Sequence, residues 1–454
     1  MKLIKSLAIV ALTLATASIV SATTTDIYIA GSNGDRSATQ KGIEVLLATS
    51  GNWSFHGDKG VASKSGATIT TEVNALNSNF GVWTGSYNDG SGVKSLKIKV
   101  SFIGAAGADY AIAGNNQVRF VSNDGTGSGS LKSPYDPTAI LTTDYILQNV
   151  NFAFSTNFQS TTPYNGDPYD PLIEEKVGVS PIVFVASPGF PGDTLTTQLA
   201  QNLYSQGYLP ASLFTGNSAD VNKIVYAIGR NMDAGQRYAA YSEIGLGTAA
   251  AIRVWKPATL AGQVTDVTTS IKYGGTVTAH QLWPIETVSG IDSGSRGNSG
   301  YDTGGNLAPA LTAVFNVSTY PNPVKGRDTG SSNPNLDTLP NATAAYYIGY
   351  ITTGDYNTRI SPFNWSSAGP SVLLKYNGVT YSEDAVRNGK YTAWVYNRIL
   401  ARSDGLGLTD STISKFHDDL RDVILGTTAT ENGGILLSTL NVERFTDGGL
   451  VTPK

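Results

Sequence analysis

The sequence predicts an α/β protein built from two domains, with a β-rich elaboration in the first part of the chain. The chain has 454 residues, of which 40% are hydrophobic, so it is long enough for two domains that each bury a core. Near its start, a short apolar strand at Asp26–Ala30 leads through a glycine turn into a helix from about Ser37 to Ala48. A second apolar run ends at Ile228 and is followed by a turn and a helix at Ala234–Ile244. Strand–turn–helix units of this kind are typical of α/β domains.

The first 22 residues have the features of a secretory signal peptide. Lys2 and Lys5 form a positively charged start, Leu7–Ala17 is apolar, and Val20-Ser21-Ala22 places small residues at a cleavage site. The alternative is a transmembrane anchor, but the apolar run is shorter than the roughly 20 residues that a spanning helix needs. We therefore expect cleavage after Ala22, no stable membrane span, and a mature protein that is periplasmic or secreted.

Residues 49–135 have a different composition, rich in Gly, Ser, Thr and Asn. Val93–Ile103 alternates apolar and polar side chains, which is typical of a half-exposed strand. Gly81–Gly92 is predicted to be the preceding hairpin arm and turn, and Gly125–Gly129 is predicted to be a loop. This region therefore predicts a mostly β elaboration of the first domain.

The middle of the chain returns to buried strands and helices. Asn149–Ser155 has strand character, and Val177–Ala186 is the most apolar strand candidate in the chain. Pro181 interrupts the second of these, which favours a strand that crosses between the two domains over a central sheet strand. Leu195–Gln206 is predicted to be a helix, with Thr194 or Thr196 as its cap.

The last part of the chain predicts two strands followed by helices. Ala344–Ile351 and Val372–Tyr376 are the strands, and Ser382–Asn388 and Tyr391–Arg402 have helical patterns. Thr409–Leu425 is predicted to be a late amphipathic helix, because its apolar side chains recur on one face.

Composition and motifs exclude several classes of function. The net charge of −4 gives no electrostatic footprint for nucleic acid, and the absence of Cys excludes disulfides and thiolate metal sites. The three His are scattered, with neither a metal-ligand spacing nor a nucleophile motif around them. Gly245-x-Gly247 follows a helical pattern, whereas a dinucleotide fingerprint follows a strand. We therefore expect no catalytic residues, no metal, no cofactor and no enzymatic activity.

The stretch Val225–Arg237 (VYAIGRNMDAGQR) is the strongest indication of a ligand. Arg230 lies in the turn, and the free N–H groups of the following helix come just after it. An arginine fork beside a helix N-terminus can hold an anion. The alternative is structural, with Arg230 paired to Asp233 or bound to a carbonyl within the loop.

This stretch resembles the Arg-x-x-x-Ser-Gly-Thr loop of periplasmic phosphate-binding proteins from ABC importers. Further stretches resemble segments of the same family and occur in the same order along the chain. They are IAGSNGD at Ile29–Asp35, FIGAAGADY at Phe102–Tyr110, NFAFSTNF at Asn151–Phe158, LTTQLAQNLYSQG at Leu195–Gly207, GNSGYDTGGNLAPAL at Gly297–Leu311, YIGYITTGDY at Tyr347–Tyr356 and YSEDAVRNGKYTAWVYNRIL at Tyr381–Leu400.

The resemblance implies a type II binding-protein fold, in which two α/β lobes are joined by two crossing strands and hold the ligand between them. Lobe 1 would comprise residues 23–177, lobe 2 residues 178–345, and residues 346–454 would return to lobe 1 and end in helices. The implied partners are a small anionic ligand, phosphate or a related oxyanion, and an ABC permease.

The resemblance also implies the residues that contact the ligand. Arg230 and Gly235 match the family's loop, and Ser155 matches the serine that precedes the family's aspartate. The expected ligand-binding residues, from matched positions and nearby replacement donors, are Ser32, Asn33, Asp35, Ser155, Thr156, Arg230, Asn231, Asp233, Gly235 and Gln236.

Several of these positions depart from the family's pattern. Asp35 replaces a hydroxyl, Thr156 replaces an aspartate, and Ala234 and Gln236 replace the Ser and Thr of the loop; Ala105 replaces a serine in the second turn. A carboxylate 4 Å from a phosphate charge costs about 4 kcal/mol at an effective dielectric constant near 20. Asp35 has a second interpretation, as the cap of the helix that follows it.

Three interpretations remain open. The ligand differs from phosphate, or other donors such as Ser32, Asn33, Asn231 and Gln236 reorganise the site, or the protein is a secreted or surface structural protein that keeps the fold without transport.

Overall fold

The computed structural model describes residues 24–72, 74–247, 252–283, 300–316, 342–365 and 367–454. The predicted signal peptide lies outside these ranges, so its cleavage stays a prediction. Among the helices of the described residues, none has the length and apolar character needed to cross a bilayer.

The helices lie at intervals along the chain and differ widely in length. They are α1 (Arg36–Ser50), α2 (Ala105–Ala113), α3 (Thr197–Gln206), α4 (Ser212–Thr215), α5 (Gly235–Glu243), α6 (Gly304–Leu311), α7 (Thr353–Arg359), α8 (Glu383–Arg387) and α9 (Ser411–Gly426).

The strands range from two residues to a strand of 15 residues. They are β1 (Thr24–Gly31), β2 (Trp53–Gly57), β3 (Gly60–Ser65), β4 (Thr68–Thr71), β5 (Phe80–Asn88), β6 (Val93–Ser101), β7 (Val118–Val121), β8 (Tyr145–Gln148), β9 (Phe152–Ser155), β10 (Leu172–Ala186), β11 (Thr194–Leu195), β12 (Tyr208–Pro210), β13 (Lys223–Ala227), β14 (Trp255–Ala261), β15 (Val264–Thr265), β16 (Lys272–Tyr273), β17 (Thr276–Leu282), β18 (Val314–Phe315), β19 (Ala344–Thr352), β20 (Val372–Leu373), β21 (Lys375–Tyr376), β22 (Trp394–Arg402), β23 (Val442–Glu443) and β24 (Thr452–Pro453).

The long strand β10 belongs to two sheets. Its first part pairs with β22, from Leu172 opposite Arg402 to Pro181 opposite Trp394. Its last five residues pair instead with β19, beginning with Ile182 opposite Thr352. The change of partner falls at Pro181, within one continuous strand, so the prediction of a strand that crosses between the two domains is confirmed.

The first sheet forms the centre of lobe 1. Its strand order is β4-β3-β2-β5-β6-β1-β9-β22-β10, with β1 parallel to both β6 and β9. On one face, α1 and α9 cover a core that includes Ile43 and Phe416. On the other face, α2 covers a core that includes Ile112 and Phe120. Lobe 1 is therefore a sheet between helical and loop layers, as expected of an α/β domain.

The second sheet forms the centre of lobe 2. Its order is β12-β13-β19-β10, and β20 also pairs with β10. Helices α3 and α5 pack on one face, around Tyr204 and Tyr241, and α6 packs on the other, around Leu307. The predicted fold class, α/β with two lobes and crossing strands, is confirmed by this arrangement.

The prediction of a helix at Tyr391–Arg402 is wrong, because Trp394–Arg402 forms strand β22. All nine residues of β22 are buried, including Asn397, Arg398 and Arg402. A strand that is covered on both faces shows no alternation of polar and apolar residues. Periodicity alone therefore does not distinguish such a strand from a buried helix.

Two boundaries also differ from the sequence-based division. Strand β19, expected near the return to lobe 1 at residue 346, lies between β13 and β10 in the second sheet, and the chain re-enters the first sheet only at β22. Within 49–135, β2 to β5 extend the first sheet as an antiparallel edge, whereas β6 lies beside β1 and α2 follows it. The elaboration thus shares its range with part of the α/β core.

The segment after α9, residues 428–454, is called the C-terminal tail. Ile435 pairs with Val179 of β10, and the buried Arg444 Nη1 lies 3.0 Å from Glu243 Oε2 at the end of α5. Asp447 accepts a hydrogen bond of 2.9 Å from the N–H of Phe158, in lobe 1. The tail therefore contacts both lobes.

Replacing Leu420 by Ala is expected to reduce the free energy of unfolding by about 2–5 kcal/mol, as for other buried leucines. Leu420 is fully buried, and its Cδ1 packs against Gly42, where α9 lies on α1. Chemical denaturation measures the change. The control is Leu450→Ala, at a side chain that is 87% exposed, for which we expect less than about 0.5 kcal/mol. Equal effects of the two substitutions would contradict the packing of α9 on α1.

Candidate functional site

The turns that follow strands of both sheets meet between the lobes. The turn after β1 contains Ser32 and Asn33 and leads into α1, and the turn after β9 contains Ser155 and Thr156. From lobe 2, the turn after β13 carries Arg230 towards the same region. These are the turns from which the sequence predicts a ligand site.

Arg230 is 2% exposed and is held by groups of its own lobe. Its Nε donates to the carbonyl of Tyr301 at 3.1 Å, its Nη2 to the carbonyl of Asp302 at 2.9 Å, and its Nη1 to Gln236 Oε1. The backbone N–H of Arg230 donates to the hydroxyl of Tyr350 at 3.0 Å. The guanidinium is thus fixed in direction while it still lines the space between the lobes.

The two lobes touch directly where the resemblance places the ligand. Asn157 Nδ2 donates to the carbonyl of Gly235 at 3.2 Å, and a Cβ atom on Gly235 would lie 2.1 Å from Thr156 Oγ1. The carbonyl of Asp233 accepts a bond of 3.2 Å from the N–H of Ala106, at the start of α2. In this structure the N-terminus of α2 is therefore satisfied by the protein's own backbone.

Beside this contact lies a small polar cavity of about 50 Å³, called the inner recess. This volume exceeds the about 10–15 Å³ that one water molecule needs. Residues of both lobes and of the C-terminal tail line it. They are Asn33, Gly34, Arg36, Lys59, Arg230, Gln236, Thr303, Gly304, Gly305, Thr352, Asp355, Arg359 and Asn432.

The inner recess adjoins a larger cavity of about 730 Å³, called the outer cleft. The two cavities share Arg36, Lys59, Asp355, Arg359 and Asn432. Of the described residues that line either cavity, Arg36, Lys59, Arg230 and Arg359 are basic and only Asp355 is acidic. The space between the lobes is therefore positively charged.

The two cations of lobe 1, Arg36 and Lys59, are partly removed from water, which makes their charged forms less favourable. Arg36 Nη1 donates to Asn79 Oδ1 at 2.5 Å, and Lys59 Nζ donates to the carbonyl of Asn77 at 2.9 Å. Burial lowers the pKa of Lys59 to about 8, and repulsion from Arg36 and Arg359 adds to this. Burial is also the main cause of the lowered pKa of Arg36. An anion in the recess would relieve the repulsion between these cations.

Lobe 2 contributes a second cation besides Arg230. This is Arg359, which lies in the last turn of α7. Its Nε lies 3.2 Å from Asp355 Oδ1, one helical turn earlier. Asp355 in turn donates its N–H to Thr352 Oγ1 at 3.3 Å, which caps the helix. The carboxylate also accepts a hydrogen bond from Thr352 Oγ1 at 3.2 Å, so it interacts both with the helix cap and with Arg359.

Asp35 occupies the N-cap position of α1, but its side chain does not cap the helix. One carboxylate oxygen accepts a hydrogen bond from Asn397 Nδ2 on β22. Burial raises the pKa of Asp35 to about 7, against the lowering effects of Asn397 and Arg398. The carboxyl is therefore protonated in a large fraction of molecules near neutral pH, which removes much of the repulsion expected between Asp35 and an anion.

Behind Asp35 lies a second polar group of buried residues. Ser155 Oγ donates to Asp109 Oδ2 at 3.1 Å, and Arg398 stacks on Phe158 with its Cζ 3.5 Å from the ring centroid. Burial raises the pKa of Asp109 well above its usual range. Arg398 is fully buried and has Asp447 and Asp109 among its attractive charges. This group lies within the protein and supports the turn at Ser155.

The structure brings the predicted site residues into one region but gives them different roles. Asn33, Arg230 and Gln236 line the inner recess. The other predicted residues are buried around the recess, with side chains that are 4% exposed or less. They are Ser32, Asp35, Ser155, Thr156, Asn231 and Asp233, together with Gly235, which is buried in the contact between the lobes. Their contact with a ligand stays a prediction.

The sequence analysis missed Lys59 and Arg359 as site residues. Lys59 lies in the hairpin turn between β2 and β3, within the region assigned to an elaboration, and Arg359 ends a short helix more than 120 residues after Arg230. Neither position has a local motif. Arg36 is also absent from the predicted set, although its place in the first turn of α1 after a glycine turn was a usable signal.

Groups of three or more His, Asp or Glu arranged to hold a metal ion are absent from the described part of the chain. Apart from the Asp355 carboxylate, the polar side chains that line the two cavities are cations, amides and hydroxyls, which can donate hydrogen bonds to an anion.

Comparison with known proteins gives structural neighbours of one kind. No protein-family model and no curated protein matches the sequence. Among solved structures, the chain is similar to an ABC-type phosphate transport receptor from Vibrio cholerae, with 11% identity and a TM-score of 0.39 over 90% of this chain and 99% of that one. It is also similar to PstS from Borrelia burgdorferi (10%, TM-score 0.36, 90% and 98%) and to a phosphate-binding protein from Stenotrophomonas maltophilia (10%, TM-score 0.33, 92% and 91%).

The three neighbours belong to the class of protein that the sequence resembles.

Asp35→Asn is expected to flatten the dependence of stability on pH. Because the folded-state pKa of Asp35, about 7, is above its unfolded value, folding takes up a proton in the window from about pH 4 to 7. Stability from this group is complete below about pH 4 and is lost as the pH rises through 7. At about 1.4 kcal/mol per pKa unit, the free energy of unfolding of the wild type should fall by up to about 4 kcal/mol relative to the variant as the pH rises from about 4 to above 7.

Denaturation of both proteins at pH 4, 6 and 8 measures this difference. The amide keeps an acceptor for Asn397, so the geometry is preserved. Parallel pH profiles of the two proteins would contradict the assignment.

Gly235→Ala is expected to lower stability by about 1–3 kcal/mol, because the added methyl group would overlap Thr156 and Ala105 at the contact between the lobes. The matched control is Gly426→Ala at the end of α9, where a Cβ atom meets nothing within 4 Å. Chemical denaturation and small-angle scattering of both variants report the change. If Gly235→Ala behaves like Gly426→Ala in both measurements, the lobes are not in direct contact in solution.

Proposed function

We propose that this protein is an exported solute-binding protein that holds a small anion, phosphate or a related oxyanion, between its two lobes. The observation that carries the proposal is the convergence of Arg36 and Lys59 from lobe 1, and of Arg230 and Arg359 from lobe 2, on adjoining cavities whose described lining contains one carboxylate. Two of these cations come from each lobe, so an anion would be attracted to both.

The environment of the cations strengthens such an attraction. An ion pair at 4 Å gains about 1 kcal/mol in bulk water but about 4 kcal/mol at the effective dielectric constant of a protein surface cleft. Arg36 and Lys59 are already partly removed from water, which is why their pKa values are lowered. Binding would therefore require little additional desolvation of the protein.

Other groups in the inner recess suit an oxyanion. The helix α6 begins at Gly304, and its first residues, Gly304 and Gly305, line the recess. The positive end of a helix dipole favours a negative ligand, and in α6 the N–H of Asn306 already donates to Thr303 Oγ1. Asn33 and Gln236 add amide groups from opposite lobes.

The transport role follows from the sequence resemblance and the predicted signal peptide. An exported binding protein of this kind would close its lobes on the anion and deliver it to an ABC permease. In this proposal the protein carries out no covalent chemistry and requires no cofactor.

A second candidate, a secreted or surface structural protein, is favoured by one observation. The lobes are in direct contact through Asn157 and Gly235, and the donors of Arg230 are directed to Tyr301, Asp302 and Gln236. In a structural protein whose lobes never separate, these contacts would serve only to stabilise the fold.

Calorimetric titration with phosphate and with sulfate at neutral pH distinguishes the two candidates. The first predicts measurable binding of at least one oxyanion, and weaker binding by Arg359→Gln and by Lys59→Gln. Because a charge-assisted hydrogen bond contributes about 1.5–3 kcal/mol, each substitution should weaken binding about 10- to 100-fold.

The matched control is Arg387→Gln, since Arg387 is paired with Glu383 and Asp384 on the surface of α8 and does not line the cavities. This variant should bind like the wild type. The first candidate is rejected if neither oxyanion gives binding heat with a protein whose circular dichroism spectrum shows that it is folded.

A further inference from the structure

The outer cleft is much larger than a single oxyanion requires. It encloses about 730 Å³, against about 50 Å³ for the inner recess that adjoins it. Cavities of about 300–1,000 Å³ are typical of sites for organic molecules rather than for small ions. The size alone indicates that a ligand held by the cations has room for a substituent.

The charges are not spread evenly over the two cavities. Three cations, Arg36, Lys59 and Arg359, lie with the single carboxylate of Asp355 in the part that the outer cleft shares with the recess. The remaining described lining of the outer cleft is neutral, with the side chains Asn74, Asn77, Thr268, Thr269 and Ser270 prominent in it. A ligand that matches this gradient is anionic at one end and neutral at the other.

The neutral wall consists mostly of amides and hydroxyls, which both donate and accept hydrogen bonds. These groups suit a ligand with several hydroxyls. No aromatic side chain is among the residues described as lining either cavity, so a stacking surface for a nucleobase is absent from them. A longer polyanion would leave charges opposite a neutral wall.

We propose that the protein binds a phosphorylated sugar or polyol, with the phosphoryl group among Arg36, Lys59 and Arg359 and the hydroxylated part against Asn77 and Thr268. This inference rests on the proposed function and names the class of ligand for the same site. It accounts for the outer cleft, which an orthophosphate ion would leave filled with water.

The wall residues can be tested without disturbing the fold. Asn77 is exposed, and it is its backbone carbonyl that accepts the bond from Lys59, so Asn77→Ala keeps that bond. Thr268 is exposed, and its backbone N–H is what bonds to Asp266 at 3.1 Å. Thr70→Ala, on the exposed strand β4, is the matched control.

Calorimetry with glucose 6-phosphate, orthophosphate, tripolyphosphate and glucose tests the inference. We expect glucose 6-phosphate to bind at least tenfold more tightly than orthophosphate, and glucose not to bind. The double variant Asn77→Ala/Thr268→Ala should lose most of that tenfold advantage while its affinity for orthophosphate is unchanged, and Thr70→Ala should retain it.

Two results would overturn the inference while the proposed function stands. One is orthophosphate or tripolyphosphate binding as tightly as glucose 6-phosphate, and the other is an unchanged preference in the double variant. Failure of all four probes to bind would overturn both proposals. Arg359→Gln should weaken glucose 6-phosphate and orthophosphate by the same factor, because it removes the part of the site that the two ligands share.

Discussion

The path of β10 determines the geometry of the whole molecule. One strand is hydrogen-bonded to β22 in the first sheet and to β19 in the second, with the change of partner at Pro181. Because ladders of hydrogen bonds fix both halves of the strand, the orientation of one sheet relative to the other is set by one backbone segment. The turns that carry Asn33 and Arg230 take their positions from these two sheets, so the shape of the inner recess depends on a strand that does not line it.

Two groups of charges differ in their surroundings, one buried in the protein and the other lining the cavities. Asp35, Asp109 and Arg398 are buried in the protein, where desolvation raises the pKa of both acids and neutral or paired states are favoured. Arg36, Lys59 and Arg359 face the cavities, where cations outnumber the single described carboxylate. Asp109 of the first group accepts a hydrogen bond from Ser155 in the turn, and the second group leaves a positive potential in the cavities.

The elements that could be predicted from the sequence are those whose signals lie within one short stretch of the chain. The strand at Asp26–Ala30, the glycine turn and the helix after it could be predicted because the apolar period and the turn residues lie together in the chain. Strand β22 could not, since burial on both faces removed its alternation. Arg230 was found through a loop that combines arginine with a helix start. Lys59 and Arg359 were missed because about 300 residues separate them and only the fold brings them to one cleft.

The C-terminal tail gives the molecule a third attachment between its lobes, besides the chain segments around β10 and β22. Arg444 is paired with Glu243 in lobe 2, and Asp447, three residues later, is bonded to Asn157 and Phe158 in lobe 1. Any wide separation of the lobes must break one of these buried polar contacts, whatever occupies the space between them. For a ligand held between the lobes, as the proposed function requires, the rates of entry and release would therefore depend on residues that do not touch it.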